Sequence, residues 1–147
     1  MHTSADLPIL CTSKQRRAPE HAPRMDIADT DTHVKKFQKE LSVGSVALVL
    51  LAVLGAAREP MYGYSIAKRI ERGGEGLSSG KQSAIYPVLR NLHAAGLLDS
   101  HVEPSVAGPP RRYYTITGLG RTVLDAWKSA WASNRDFVDS ILKDSEA

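Results

Sequence analysis

The longest uncharged stretch of the chain constrains the fold most. Residues 41–57 contain 17 positions without a charged side chain, and most are leucine, valine or alanine. Pro60 follows, and proline cannot continue a helix. The stretch falls just below the length that spans a bilayer and includes serines and glycines, so we favour a buried core helix over a membrane span. We expect this helix from Ser42 to about Arg58, after a short charged helix from about His33 to Leu41.

The first 32 residues differ in character from the rest. Three prolines, scattered charges and the lack of any helical or strand period predict a disordered tail over residues 1–32. The first 30 residues contain no long apolar segment of the kind found in a secretory signal. Cys11 is the only cysteine, which excludes a disulfide framework and a cysteine-rich zinc site. We therefore expect a reducing, cytoplasmic location.

Two further helices are expected after the core helix. Residues 61–64 are predicted to form a turn, and residues 65–72 a helix that ends at the glycines after it. A third helix begins near Ser83, its expected N-cap, and ends near Ala95, with Gly96 as C-cap. The apolar residues spaced for the buried faces of these helices are Ile66, Ile70, Ile85, Leu89 and Leu92.

A β-hairpin is expected to close the domain. We predict strands over residues 97–102 and 112–117, joined by a proline-containing loop over 104–110. Strand alternation turns only one of Tyr113 and Tyr114 inward. These elements make the chain mainly α with a small β-hairpin. Their order predicts a winged helix-turn-helix, followed by a C-terminal dimerisation helix. The expected bounds are 1–32 for the tail, 33–117 for the winged helix-turn-helix and 118–147 for the dimerisation helix.

The last predicted helix, from about residue 119 to 142, carries a long apolar stripe. The remaining domain is too small to cover a stripe of that length, so a second copy of the chain is the expected cover. The stripe consists of Leu119, Val123, Leu124, Trp127, Ala130, Trp131, Val138, Ile141 and Leu142.

Positive charge is concentrated in the middle of the chain. Residues 61–121 contain eight basic and four acidic side chains, whereas residues 1–33 have a net charge of −1 and residues 122–147 of −2. A basic helix-turn-helix and wing, flanked by acidic segments, has the charge distribution of a protein that binds duplex DNA. A solvated surface without any nucleic-acid partner remains the alternative from charge alone.

Four runs carry more specific information: Tyr62-Gly63-Tyr64, Ile85–Leu92, Ala95–Leu98 and Gly108–Thr117 with Gly120. In this order and spacing they resemble the PadR family of bacterial transcriptional regulators, over roughly residues 43–142. The single C-terminal helix is similar to that of the shorter subfamily. The resemblance implies repression by a homodimer that binds a pseudo-palindromic operator in double-stranded DNA, with the protein on the nucleoid.

The chain departs from the family pattern in three places. It has Ser83-Ala84 where members usually carry Gly-Thr, His93 where an acidic residue is usual, and Gly118-Leu119 inside the usual Thr-Glu-x-Gly. These changes concern the operator sequence and the details of docking rather than the fold.

The residues expected at DNA lie on two helices and the hairpin. The polar N-terminal side of the third helix is predicted to enter the major groove. The wing arginines are predicted at the minor groove or its flanking phosphates, and the second helix at backbone phosphate. Packing of Tyr62 and Tyr64 against the helix junction is an equal alternative. The predicted set is Tyr64, Lys68, Lys81, Gln82, Ser83, Tyr86, Arg90, Arg111 and Arg112.

The last helix has its own candidate site. Trp127 and Trp131 are four residues apart and share one face, which suits either a dimer core or a ligand surface between protomers. Some short members of the PadR family bind flat aromatic drugs between paired tryptophans of this helix. The resemblance therefore adds a small aromatic effector that lowers operator affinity. The residues predicted at this dimer or ligand face are Leu124, Trp127, Trp131, Val138 and Ile141.

Catalytic and metal signals are missing from the sequence. It contains no phosphate-binding glycine loop, no His-Glu-x-x-His run and no nucleophile elbow, and its five histidines lack metal-ligand spacing. We expect no enzyme activity, no metal and no cofactor. Two other classes remain open: a winged-helix module that binds only proteins, and an architectural DNA binder without operator preference.

Overall fold

The computed structural model describes residues 27–72 and 84–146. Its mainly helical architecture with a small antiparallel sheet confirms the predicted fold class. The elements in chain order are α1 (Ile27–Ala56), β1 (Met61–Tyr62), α2 (Gly63–Glu71), α3 (Ile85–Ala94), β2 (Leu98–Glu103), β3 (Arg111–Ile116) and α4 (Gly118–Ser145). Strands β2 and β3 fall within one residue of the predicted bounds.

Helix α1 begins earlier than the sequence predicts. Residues 27–32 are helical, so the prediction of a disordered tail up to residue 32 is wrong for these six positions. At i,i+4 spacing, Asp31 forms an ion pair with Lys35 at 2.7 Å, and the Asp29 carboxylate lies 3.5 Å from the His33 ring. The hydrogen bond to Asp31 also raises the pKa of the Lys35 ammonium. Acidic side chains in the first turns suit the positive end of the helix dipole.

Helix α1 is also continuous through the point where we predicted two separate helices. The change from charged to apolar composition at residue 41 does not interrupt its 30 residues. The hydroxyl of Ser42 donates to the carbonyl of Gln38 at 2.8 Å, and that of Ser45 donates to the carbonyl of Leu41 at 2.7 Å. Both serine hydroxyls therefore have hydrogen-bond partners within α1, and the helix continues through them.

The sheet has three strands in the order β1-β3-β2, and both pairings are antiparallel. Strand β1 pairs Met61 with Tyr114 and Tyr62 with Tyr113, where the sequence predicts only a turn. This third strand ties the start of α2 to the hairpin. Tyr114 is buried and Tyr113 half-buried, which confirms the predicted alternation.

The core lies between α1, α2, α3, the sheet and the first turns of α4. Every apolar residue predicted on the buried faces of α2 and α3 is buried. The buried core residues are Leu50, Leu51, Leu54, Ile66, Ala67, Ile70, Ile85, Leu89, Leu92, Leu97, Leu98, Tyr114, Ile116 and Leu124.

The ends of α3 are defined by Ala84 and Gly96. The helix begins at Ile85 after Ala84, so Pro87 falls in the first turn, where its missing N–H costs no intrahelical hydrogen bond. The predicted N-cap, Ser83, lies outside the described residues. Gly96 has φ of +79°, which confirms it as the residue that ends the helix.

Thr117 fixes the start of α4. Its Oγ1 accepts a hydrogen bond from the Gly120 amide at 2.9 Å and donates to the Gly96 carbonyl at 2.7 Å. Its own amide donates to the Leu97 carbonyl at 3.1 Å. A Cβ at Gly120 would overlap that carbonyl, so α4 approaches this turn closely.

One described helical stretch, Asp29–Ala56, is long and apolar enough by length and composition to cross a membrane. Its second half, however, supplies Leu50, Leu51 and Leu54 to the core. The guanidinium of Arg121 on α4 donates to the Gly55 carbonyl at 3.3 Å. The C-terminal end of α1 is thus packed within the domain.

Candidate nucleic-acid interface

The wing comprises β2, β3 and the loop over 104–110. An open cleft separates it from the start of α2 and from α3. The cleft has a volume of about 500 Å³ and is walled by tyrosine rings, arginine side chains and the Pro109-Pro110 tip. Five residues predicted to contact DNA line it: Tyr64, Tyr86, Arg90, Arg111 and Arg112. The structure therefore brings residues from three separate elements around one concave surface.

On α2, Tyr64 and Lys68 form a pair one helical turn apart. The Lys68 Nζ lies 4.8 Å from the centroid of the Tyr64 ring, and Tyr64 is 41% exposed. A hydrogen bond to Tyr64 and attraction to its phenolic oxygen raise the pKa of Lys68 above its ordinary value. The alternative of packing at the helix junction fits the half-buried Tyr62, whereas Tyr64 and Lys68 face solvent.

On α3, Tyr86 and Arg90 also lie one turn apart. A Cβ at Gly63 would overlap the Tyr86 ring, so the glycine lets this ring pack directly against the start of α2. Tyr86 remains 37% exposed, and Arg90 is exposed. The other three residues predicted on this reading surface lie outside the described residues: Lys81, Gln82 and Ser83.

In the wing, the two arginines lie on opposite faces of β3. The strand register puts Arg112 on the face that carries Tyr114, and Arg111 on the face that carries Tyr113. The Arg112 Nη1 donates to the Ser100 hydroxyl at 2.8 Å, which holds the guanidinium along the hairpin. Both arginines are exposed.

An aromatic row crosses the sheet, which the sequence patterns do not predict. Tyr62, Tyr113 and His101 occupy paired positions on the three strands, with ring centroids 5.6 Å and 5.4 Å apart. Tyr64 extends the row, 6.1 Å from Tyr62. The Arg111 guanidinium lies 4.7 Å from the Tyr62 ring centroid. The pairing of β1 with β3 adds Tyr62 to the His101–Tyr113 pair of the hairpin, and a two-residue strand has no periodicity that could predict it.

The predicted dimer or ligand face of α4 divides into two parts. Leu124 is only 6% exposed and belongs to the chain's own core. Its prediction as a partner-facing residue is wrong, because the first turns of α4 use the apolar stripe to pack against α1. Trp127 is half-buried at the edge of that core. Trp131 is 46% exposed, and Val138 and Ile141 are exposed as well. The second half of α4 therefore presents the free part of the stripe.

A second apolar face lies on the first half of α1. Val34, Phe37 and Leu41 recur at helical spacing and are all exposed. The sequence places these three residues on one face but gives no reason to link them to a partner. On α4, Phe137 adds an exposed ring that the predicted stripe omitted. A single chain thus leaves apolar surface uncovered on two helices.

Comparison with known proteins identifies the family. Residues 50–126 match the transcriptional regulator PadR-like family. The crystal structure of a PadR family transcriptional regulator from Eggerthella lenta is 30% identical, with a TM-score of 0.67, covering 78% of this chain and 96% of that chain. A PadR-like transcriptional regulator from Bacillus cereus is 25% identical, with a TM-score of 0.58, covering 70% and 96%. An uncharacterized protein from Lysinibacillus sphaericus is 26% identical over 82 residues, which are 56% of this chain and 75% of that protein.

The family match contains both helices of the candidate interface and the whole wing. The similar structures share the fold in which these elements are arranged. By sequence match and by structure, this chain belongs to the PadR-like family of transcriptional regulators.

Proposed function

We propose that the protein binds a pseudo-palindromic operator in double-stranded DNA as a homodimer and represses transcription there. Its family membership establishes the broader role in transcriptional regulation. The observation that carries the proposal is the convergence of Arg90, Arg111 and Arg112 on one cleft, with Lys68 over the neighbouring ring of Tyr64. Cations arranged in this way neutralise phosphates, which supplies much of the affinity for duplex DNA.

Each element has a distinct part in this proposal. Helix α3 enters the major groove, where Arg90 contacts a phosphate or a guanine. Gln82, which lies outside the described residues, is the residue proposed to read an adenine. Helix α2 contacts the backbone through Lys68, which sets the position of α3 without reading sequence. The wing arginines Arg111 and Arg112, on opposite faces of β3, contact the phosphates beside the minor groove.

The homodimer follows from the two uncovered apolar faces. In the proposed dimer, the first half of α1 from one protomer packs against the second half of α4 from its partner, and the two-fold axis repeats the contact. The described first half of α1, residues 27–41, contains three acidic and three basic side chains, so the apolar faces rather than net charge support the proposed contact. The dimer places two copies of α3 about one DNA turn apart.

A binding titration tests the operator proposal. The purified protein is titrated against its own upstream DNA and against scrambled DNA of equal length, at about 0.15 M salt. We expect selective binding. Arg112→Ala should weaken it and reduce the slope of log K against log salt by about 1.8, which is about 0.9 for each of the two protomers. Lys128→Ala also removes one positive charge, from an exposed position on the first half of α4 away from the cleft, and should change neither quantity.

The other outcomes of this titration distinguish the rival functions. Equal affinity for both DNAs would indicate an architectural binder. No affinity for either, with a folded protein, would indicate a module that binds proteins only. An unchanged salt slope for Arg112→Ala would remove the wing from the interface.

We further propose that a flat aromatic effector binds between protomers at Trp131 and lowers operator affinity. The support is an exposed indole next to the half-buried Trp127, on a segment with a net negative charge. Proflavine, a planar cation, is a suitable probe of the DNA-free protein. We expect it to quench tryptophan fluorescence, and Trp131→Leu should abolish the quenching. Because proflavine also intercalates into duplex DNA, release of operator DNA is judged from the difference between the native protein and Trp131→Leu at equal proflavine concentration. Quenching that is unchanged in this variant would contradict the site.

A further inference from the structure

The aromatic row joins the three strands to α2 and holds two cations. From β2 to α2 it runs through His101, Tyr113, Tyr62 and Tyr64. Arg111 lies over the ring of Tyr62 at 4.7 Å, and Lys68 lies over the ring of Tyr64 at 4.8 Å. The row is therefore a continuous contact between the wing and the helix-turn-helix. Tyr62 and Tyr64, the two rings at its α2 end, each hold one candidate phosphate ligand.

We propose that Tyr62 is a positioning residue that holds the wing arginine Arg111 in place for DNA. Tyr62 itself does not contact the nucleic acid in this proposal. The inference rests on the proposed DNA binding, because Arg111 needs a phosphate to act on. Under this proposal Tyr62 affects DNA binding only through the Arg111 guanidinium. A tyrosine that merely packs at the helix junction would affect binding independently of Arg111.

The physical basis is the geometry of a guanidinium over a ring. An arginine that lies over an aromatic face is attracted by the ring, and its N–H donors point outward from the edge of its plane. Its donors are then available to a phosphate, and the side chain loses less rotamer freedom when it binds. Glu103 is the residue opposite Arg111 in the strand register. The Glu103 carboxylate lies 3.1 Å from the His101 ring, so it contacts His101.

A double-mutant cycle on operator DNA tests the proposal. Tyr62→Leu should weaken binding about two- to five-fold, the range for an exposed cation–π contact. Tyr62→Phe keeps the ring and should bind like the native protein. In an Arg111→Ala background, Tyr62→Leu should cause no further loss, because the group that Tyr62 holds is gone. Thermal unfolding of each variant checks that the sheet remains folded.

Two results of the cycle would overturn the proposal. If Tyr62→Phe binds as weakly as Tyr62→Leu, then the hydroxyl rather than the ring matters. If Tyr62→Leu causes the same loss with and without Arg111, then the two residues act independently.

A measurement without DNA separates this inference from the proposed function. In the NMR spectrum of the free protein, the Arg111 Hδ and Hε resonances should be shifted upfield by the ring current of Tyr62. The shift should remain in Tyr62→Phe and disappear in Tyr62→Leu. If no operator is bound but the shift behaves in this way, the proposed function fails while the contact stands. If the resonances show no ring-current shift, Tyr62 does not hold Arg111.

Discussion

Thr117 gives the sharpest prediction about stability. Its hydroxyl caps α4 through the Gly120 amide and closes the preceding turn through the Gly96 carbonyl. Thr117→Val keeps the shape and the β-branch but removes both hydrogen bonds. Each is worth about 1 kcal/mol, and loss of a helix N-cap alone costs about 0.5–2 kcal/mol. We therefore expect the free energy of unfolding to fall by about 1–3 kcal/mol.

Urea unfolding, followed by circular dichroism at one fixed protein concentration, measures this loss. Thr117→Ser retains the hydroxyl and should stay close to the native stability. Thr122→Val makes the same chemical change one turn further along α4, where the hydroxyl only donates to the Gly118 carbonyl in the helix. It should change stability by less than about 0.5 kcal/mol. Equal losses for Thr117→Val and Thr122→Val would refute the capping argument.

Two further predictions concern the packing of α4. Gly120→Ala should destabilise the protein by about 3 kcal/mol, because its Cβ would overlap the backbone carbonyl of Leu97. Gly118→Ala, with no atom within 4 Å of the added Cβ, should be neutral or stabilising by up to about 1 kcal/mol. Urea unfolding compares the two, and similar losses would contradict the close approach. Ile141→Asp should convert the dimer to monomers in sedimentation experiments. Ser129→Asp adds the same carboxylate on the opposite side of the helix and should leave the dimer intact.

The sequence predicted those parts of the fold that depend on local patterns. Helical spacing identified the buried faces of α2 and α3, including Ile66 and Leu89. The glycine at position 96 marked the end of α3 through its left-handed backbone. The hairpin followed from two strand-like runs around a proline-containing loop. In each case the signal lies within a few residues of the feature that it predicts.

The features that were missed depend on contacts that are distant in sequence. Strand β1 forms because Met61 and Tyr62 pair with β3, and two residues have no pattern of their own. The stripe on α4 correctly marks an apolar face, but it cannot show that Leu124 is covered by α1 of the same chain. At Ser42 the composition changes from charged to apolar, but the backbone of α1 stays helical and the Ser42 hydroxyl bonds to the Gln38 carbonyl of the same helix.

Footprinting of the protein on its own upstream DNA tests the central claim most directly. A homodimer with one copy of α3 in each major groove predicts two protected half-sites of similar sequence. They should be inverted with respect to each other and centred about 34 Å, or a multiple of one DNA turn, apart. Ile141→Asp should weaken protection of both half-sites together. A single protected half-site, or uniform protection without a preferred position, would contradict the account of an operator-binding dimer.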